Sequence, residues 1–183
     1  SEFVELFNRG STAVDLAGWS LTEAITFSFA AGMTLESGAY LVVARSPEDA
    51  KAFYFNDATD VIVGPFDGQL NNAGERLVLR DGSDQEIDSV SYDDHPPWPA
   101  EADGGGPSLE LFDPAIDNSQ PESWGLGQSF SPGAANAPVE PGAGAIAITE
   151  IMYRPRRQEI RVQLGSSVNG PGPYTETGDD IYG

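Results

Sequence analysis

The sequence predicts an all-β protein folded as a sandwich of two packed sheets. Three observations carry this. Short apolar runs recur along the chain between clusters of Gly, Pro, Asn and Asp, the rhythm of strands and turns in a sandwich or barrel. Two alternating runs flank "DGSD" at 81–84, a strong hairpin signal. Only one stretch, 46–54, carries the start signals of a helix.

The elements follow in order. "EFVELF" (2–7) is the first strand, so the chain opens in mid-strand and reads as a piece of something longer. "AGWSLT" (17–22) and "ITFSF" (25–29) are a pair, and "AYLVVAR" (39–45) follows the turn "ESG". "SPEDAKAFY" (46–54) has Ser46 placed as N-cap, Pro47 at the first helical position and acids in the first turn, which predicts one or two helical turns. "DVIVG" (60–64) is a short strand; "ERLVLRD" (75–81) and "QEIDSVSYD" (85–93) form the hairpin, and "PSLELFD" (107–113) is the next run. Residues 129–145 are Pro, Gly, Ala and Asn with hardly any large apolar group, the composition of an exit linker. Yet a strand follows it. In "AIAITEIMY" (145–153), Ile146, Ile148, Glu150 and Met152 alternate with Ala147, Thr149, Ile151 and Tyr153, and Pro155 closes the run. "EIRVQL" (159–164) alternates as well, with Ile160, Val162 and Leu164 on one face.

Charge and composition narrow the function. Of 183 residues, 29 are acidic and 9 are Lys or Arg, for a formal charge of −20. Such a surface repels phosphate backbones and anionic lipid, which argues against nucleic-acid and membrane partners. It is compatible with divalent cations and a salty medium. The absence of cysteine removes disulfides, thiolate metal sites and thiol nucleophiles. No apolar run approaches the roughly twenty residues that span a bilayer.

Candidates for chemistry are few. His95, the sole histidine, has Asp93 and Asp94 beside it in "DDHPPWP", but no nucleophile motif accompanies it, and the reading is a surface-loop histidine rather than a general base. The glycine-rich loops at 102–108 and 169–183 lack the strand-then-helix context of phosphate cradles. Loop acids offer oxygen ligands of the kind calcium prefers, and Glu176, Asp179 and Asp180 in "TETGDD" are the tightest cluster, although turn formation and capping account for most such residues. No other cofactor is expected. Trp19 is expected in or near the core, with Trp98 and Trp124 pinning long loops to it.

Taken together, "EFVELFNRGSTAVDLAGWSLT", the F-x-F-x-x-G-x-x-L-x-x-G-x-Y-L-V-V pattern of 27–43, "LNNAGERLVLRDGSDQEIDSVSYDD" (70–94), "PWPAEADGGGPSLELFDP" (97–114) and "PESWG" (121–125) resemble the bacterial lamin-tail domain over most of residues 1–136. The resemblance implies an immunoglobulin-like β-sandwich, no catalysis, and an extracellular or cell-surface setting. In that family a strand much like "ITEIMYRP" comes shortly before "EFVELFN"; here it lies at 148–155, behind the linker. The resemblance therefore divides the chain into a sandwich body (1–136), a linker (137–145), and a first strand with an inserted hairpin (146–183) that belongs to the next unit. Ile148, Glu150, Ile151, Met152 and Tyr153 become the assembly strand, and Phe3, Val4 and Leu6 the acceptor edge. Three arrangements fit: a covalent tandem array cut out of phase, non-covalent strand complementation between copies, and a permutant closing on itself, since the stretch from Asn136 to Ile148 reaches roughly 40 Å if extended. The expectation is a filament of copies joined head-to-tail by the first two together, because such a contact does not close. The alternative is an accessory binding module of a larger secreted protein.

Overall fold

A computed structural model of the chain describes residues 1–55, 61–99, 102, 108–127, 131–136 and 146–153. Within them two main sheets face each other. The larger holds six strands in the order β12 (Trp124–Leu126), β11 (Leu109–Leu111), β13 (Ile146–Met152), β1 (Phe3–Asn8), β6 (Tyr40–Ala44) and β7 (Ile62–Val63). The smaller runs β10 (Glu86–Tyr92), β9 (Glu75–Arg80), β3 (Ser20–Glu23), β4 (Ile25–Ser28) and β8 (Asp67–Gly68), and a two-stranded ribbon joins β2 (Val14–Asp15) to β5 (Thr34–Leu35). Neighbouring strands are antiparallel, except that β7 runs parallel to β6. This is the all-β, immunoglobulin-like architecture expected.

Alternation explains which residues meet. Val4 and Leu6 of β1, Leu41 and Val43 of β6, Leu109 and Leu111 of β11, and Leu21, Leu77 and Leu79 from the opposite sheet form one buried core. The other face of the larger sheet carries Phe3, Val42, Ala44 and Met152, closed by Ala50 of α1 (Pro47–Ala50) and by Ile62. Burial on both faces leaves every residue of β1 buried. Each apolar side chain so enclosed contributes roughly 2 kcal/mol.

The predicted hairpin is present: Asp81 Oδ1 accepts the N–H groups of Ser83 (2.8 Å) and Gln85 (2.9 Å), and Asp84 adopts a positive φ of 64°. Gly74, before β9, has φ 91°, and a Cβ there would lie 2.4 Å from the Tyr92 carbonyl oxygen, so the turn into the hairpin needs glycine. Trp98 and Trp124 pack on one another with ring centroids 6.1 Å apart, inside the core; Trp19 is partly buried against it.

Ser46 is the extended N-cap of a short helix, as expected, although its side chain makes no capping bond; its carbonyl accepts the Ala50 N–H at 2.9 Å. The helix is one α turn continued by a π turn at Lys51–Phe55. One expectation needs correction: strict alternation puts Ile148 and Ile151 on opposite faces, whereas both are in the core between the sheets. The cause is a shift in register. Glu5 faces Glu150 but Leu6 faces Ile148, so Thr149 is the extra residue of a β-bulge, and the bulge returns Ile148 to the face of Ile151. Residues 154–183 lie outside the described residues, and with them the "EIRVQL" strand, the 169–183 loop and the metal candidates Glu176, Asp179 and Asp180.

Candidate functional site

The strand after the linker occupies the middle of a sheet of its own chain. β13 pairs with β1 on one side, matching Phe3 with Met152, Val4 with Ile151 and Leu6 with Ile148. On its other side it pairs with β11, matching Leu109 with Ile151. Ile148 and Ile151 are fully enclosed in the main core, Tyr153 joins them there, and Met152 packs with Phe3 in the outer cluster. The start of the strand is tied to the opposite sheet. The Ile148 N–H donates to Asp88 Oδ2 at 2.8 Å, and the Asn118 amide donates to both oxygens of the same carboxylate, at 3.0 and 2.9 Å. Burial raises the pKa of Asp88, opposed first by the Ile148 N–H and then by Asn118.

On the outer face of the same strands lies a row of three carboxylates. Glu5 of β1 faces Glu150 of β13, and Glu150 faces Glu110 of β11. Glu5 and Glu150 are 0% exposed and Glu110 7%. The 131–136 segment covers them. The Gly133 N–H donates to Glu5 Oε2. The Ser131 hydroxyl lies 2.9 Å from Glu110 Oε1 and 2.8 Å from Asn136 Oδ1, and the Asn136 amide donates to the Thr149 carbonyl at 3.0 Å. The bulge has a part here as well, since the Thr149 hydroxyl donates to Glu5 Oε1 at 3.1 Å.

Three acids so placed are not ordinary carboxylates. Burial pushes Glu5 up to about 8, against the pull of the Gly133 and Thr149 donors, with the Glu110 charge adding to the rise. Burial, opposed by the Ser131 and Ser108 hydroxyls, raises Glu110. Glu150 is held well above the usual carboxylate range, by burial first and then by the Glu5 charge. Ser108 pulls Glu150 the other way, but that hydroxyl is committed to Glu110 at 3.1 Å, and among the described residues neither oxygen of Glu150 accepts a hydrogen bond. The Glu5 charge in turn helps to raise Tyr40, after burial, to about 12. The row gathers carboxyl groups and hydroxyls, which are groups able to hold a proton or a cation.

Sequence reasoning placed Glu150 in the assembly strand but passed over Glu5 and Glu110, because an acid in an alternating strand reads as the solvent face. A signal was available for Glu5 and Glu150: each is flanked two residues away on both sides by large apolar groups, Phe3 and Phe7 or Ile148 and Met152. An acid inside an apolar run points to a face that is covered.

His95 stands apart. Its side chain is 79% exposed, and Nδ1 sits 3.0 Å from Asp93 and 2.5 Å from Asp94. The two carboxylates, Asp93 first, raise its pKa above the ordinary 6.5. Among the described residues these three form the group of acids and histidine whose ligand atoms lie within 4.8 Å of one another; the glutamate row is more open. No helix among the described residues is long and apolar enough to cross a membrane.

A family model described as Lamin Tail Domain matches residues 1–94, which is 94 of the 183 residues. The matched stretch runs from β1 through β10 and so includes β1 but not β13. No curated protein matches the chain.

Proposed function

The chain belongs to the lamin tail domain family, a structural immunoglobulin-like fold, and we propose that this member is a non-catalytic repeat unit of an extracellular filament or surface assembly whose units join head-to-tail through β13. One observation carries the reading. A strand that follows the 137–145 stretch fills the centre of a sheet, between β1 and β11, rather than an edge. A seat of that kind accepts the strand of its own chain or the same strand of a neighbour with identical contacts, which is the condition for strand exchange. A short tether gives the chain's own strand an effective concentration of about millimolar. Dilute chains therefore close on themselves, and linkage sets in where copies are crowded or held in an array.

The direct test is a chain ending at residue 145. It should aggregate or fold poorly, since the gap exposes the β1 and β11 edges and an apolar groove. Residues 146–165 supplied in trans, or fused ahead of Ser1, should restore a cooperative fold. A stable two-state monomer of residues 1–145 would end the proposal. A second reading, an accessory anchoring module of a larger secreted protein, draws on the closure of β13 within one chain, which a self-contained module requires. Electron microscopy at high protein concentration separates the two: a filament with a one-domain repeat supports linkage, and compact monomers support the module.

A further inference from the structure

The glutamate row supplies what a loose cluster of acids does not. It is built from three strands and a covering segment, and its central member is a fully buried carboxylate whose oxygens accept no hydrogen bond among the described residues, set in register between two other carboxylates. An unsatisfied buried carboxylate is expensive, because nothing replaces the hydration it has lost. The hydroxyls of Ser108, Ser131 and Thr149 and the Gly133 N–H lean on its neighbours. Among the described residues no Lys, Arg or His forms an ion pair with any of the three glutamates.

We propose that Glu5, Glu110 and Glu150 form a binding site for a hard divalent cation, calcium by its chemistry, which clamps β13 between β1 and β11. An all-oxygen set with neither sulfur nor imidazole selects calcium or magnesium over zinc. Calcium is the better fit, because it tolerates irregular geometry and mixed carboxylate and neutral oxygens, whereas magnesium demands a near-ideal octahedron and keeps its waters. Glu5 and Glu110 flank Glu150 on the two neighbouring strands, so an ion seated at Glu150 lies between them. The clamp spans the very strands that donation of β13 would have to part, so bound ion holds the strand in its seat whichever chain supplies it. The site is distinct from the loop acids Glu176, Asp179 and Asp180. It does not depend on strand exchange, and a chain that never polymerises should still bind the ion.

The test uses the full chain, freed of metal by chelator and dialysed. Calcium chloride is added at constant ionic strength, with sodium chloride as the control for screening of the −20 charge. An extracellular-type site of about 0.1–1 mM affinity predicts a melting temperature higher by about 5 °C at about 10 mM calcium, a smaller rise with magnesium, and about one calcium per chain by calorimetric titration. Glu150→Gln should reduce the rise to about 1 °C or less, and Glu110→Gln should weaken binding at least about tenfold. The triple variant Glu176→Gln/Asp179→Asn/Asp180→Asn should keep the full response. An unchanged melting curve in calcium, or a response that survives Glu150→Gln and disappears in the triple variant, would overturn the proposal.

Discussion

Glu5 and Glu150 stand directly opposite each other on β1 and β13, both fully buried, with no basic partner among the described residues. In metal-free solution this pair destabilises the fold, because burial and mutual repulsion act in the same direction. Glu150→Gln keeps the shape, removes the acid and gives its neighbours an amide donor. It should stabilise the chelator-treated chain by about 1–2 kcal/mol, read as a higher urea midpoint at unchanged slope. A lower midpoint would mean that the Glu150 carboxylate has a stabilising partner.

The same row sets a pH dependence. Unfolded, Glu5 titrates near its ordinary 4.5; folded, near 8. Between those values the native chain holds a proton that the unfolded chain has released. The stability linked to that proton is complete below pH 4.5 and is lost as pH rises through about 8, at up to about 1.4 kcal/mol per pH unit. The titratable groups facing Glu5 and Glu150 are Glu110 from β11, Tyr40 from β6 and Tyr54 from the π turn, all of which disfavour further negative charge. Urea midpoints in chelator should therefore fall from pH 5 to pH 8, and Glu5→Gln should flatten that slope. A midpoint that rises over the interval would contradict the assignment.

Much of the fold was legible in the sequence, because local rules set it. Alternation located β1, β6, β9, β10 and β13, and "DGSD" located a hairpin whose Asp81 turn holds two N–H groups. What escaped is decided at a distance. The "WGL" of β12 has too few residues to alternate and is a strand only because β11 pairs with it. The parallel run of β7 beside β6 follows from the α1 crossover and leaves no mark in either strand. The bulge at Thr149 depends on Glu5 across the sheet, so period-2 counting fails there. The carboxylate row is the sharpest case. Its members lie at 5, 110 and 150, and only the strand order β11-β13-β1 brings them side by side.

His95 marks the limit of any chemistry in the "DDHPPWP" loop. Its imidazole pairs with Asp93 and Asp94 on an exposed surface. His95→Ala should leave the urea midpoint at pH 7.5 unchanged, as for surface substitutions generally. A hydrolase activity abolished by this change would refute the non-catalytic reading.

Asp88 joins the two sheets through one carboxylate, accepting the Ile148 N–H and the Asn118 amide. Asp88→Ala orphans a buried backbone donor at the start of β13, and should destabilise by about 1–3 kcal/mol. Hydrogen exchange of the Ile148 amide should accelerate more than that of the β9 amides. Equal acceleration throughout would show that Asp88 acts on global stability rather than on the seat of the strand.

The bulge gives the strand seat its most discriminating test. Because Thr149 is the extra residue, Ile148 and Ile151 share the core face, while Met152 faces Phe3 in the outer cluster. Ile148→Asp and Ile151→Asp should each unfold the chain or abolish its assembly, since a buried unpaired carboxylate in that core adds to the cavity left by the isoleucine. The alanine variants should cost about 2–5 kcal/mol each. Pairing then distinguishes the registers. Leu6 lies directly opposite Ile148, so a Leu6→Ala/Ile148→Ala double-mutant cycle should show a coupling of about 0.5 kcal/mol or more, whereas Phe3→Ala and Ile148→Ala, on opposite faces, should add. An unbulged strand would turn Ile148 outward, toward the face of Met152 and the carboxylates. Coupling of Ile148 to Phe3 with none to Leu6 would mean the register is wrong, and with it the alignment of Glu5 and Glu150.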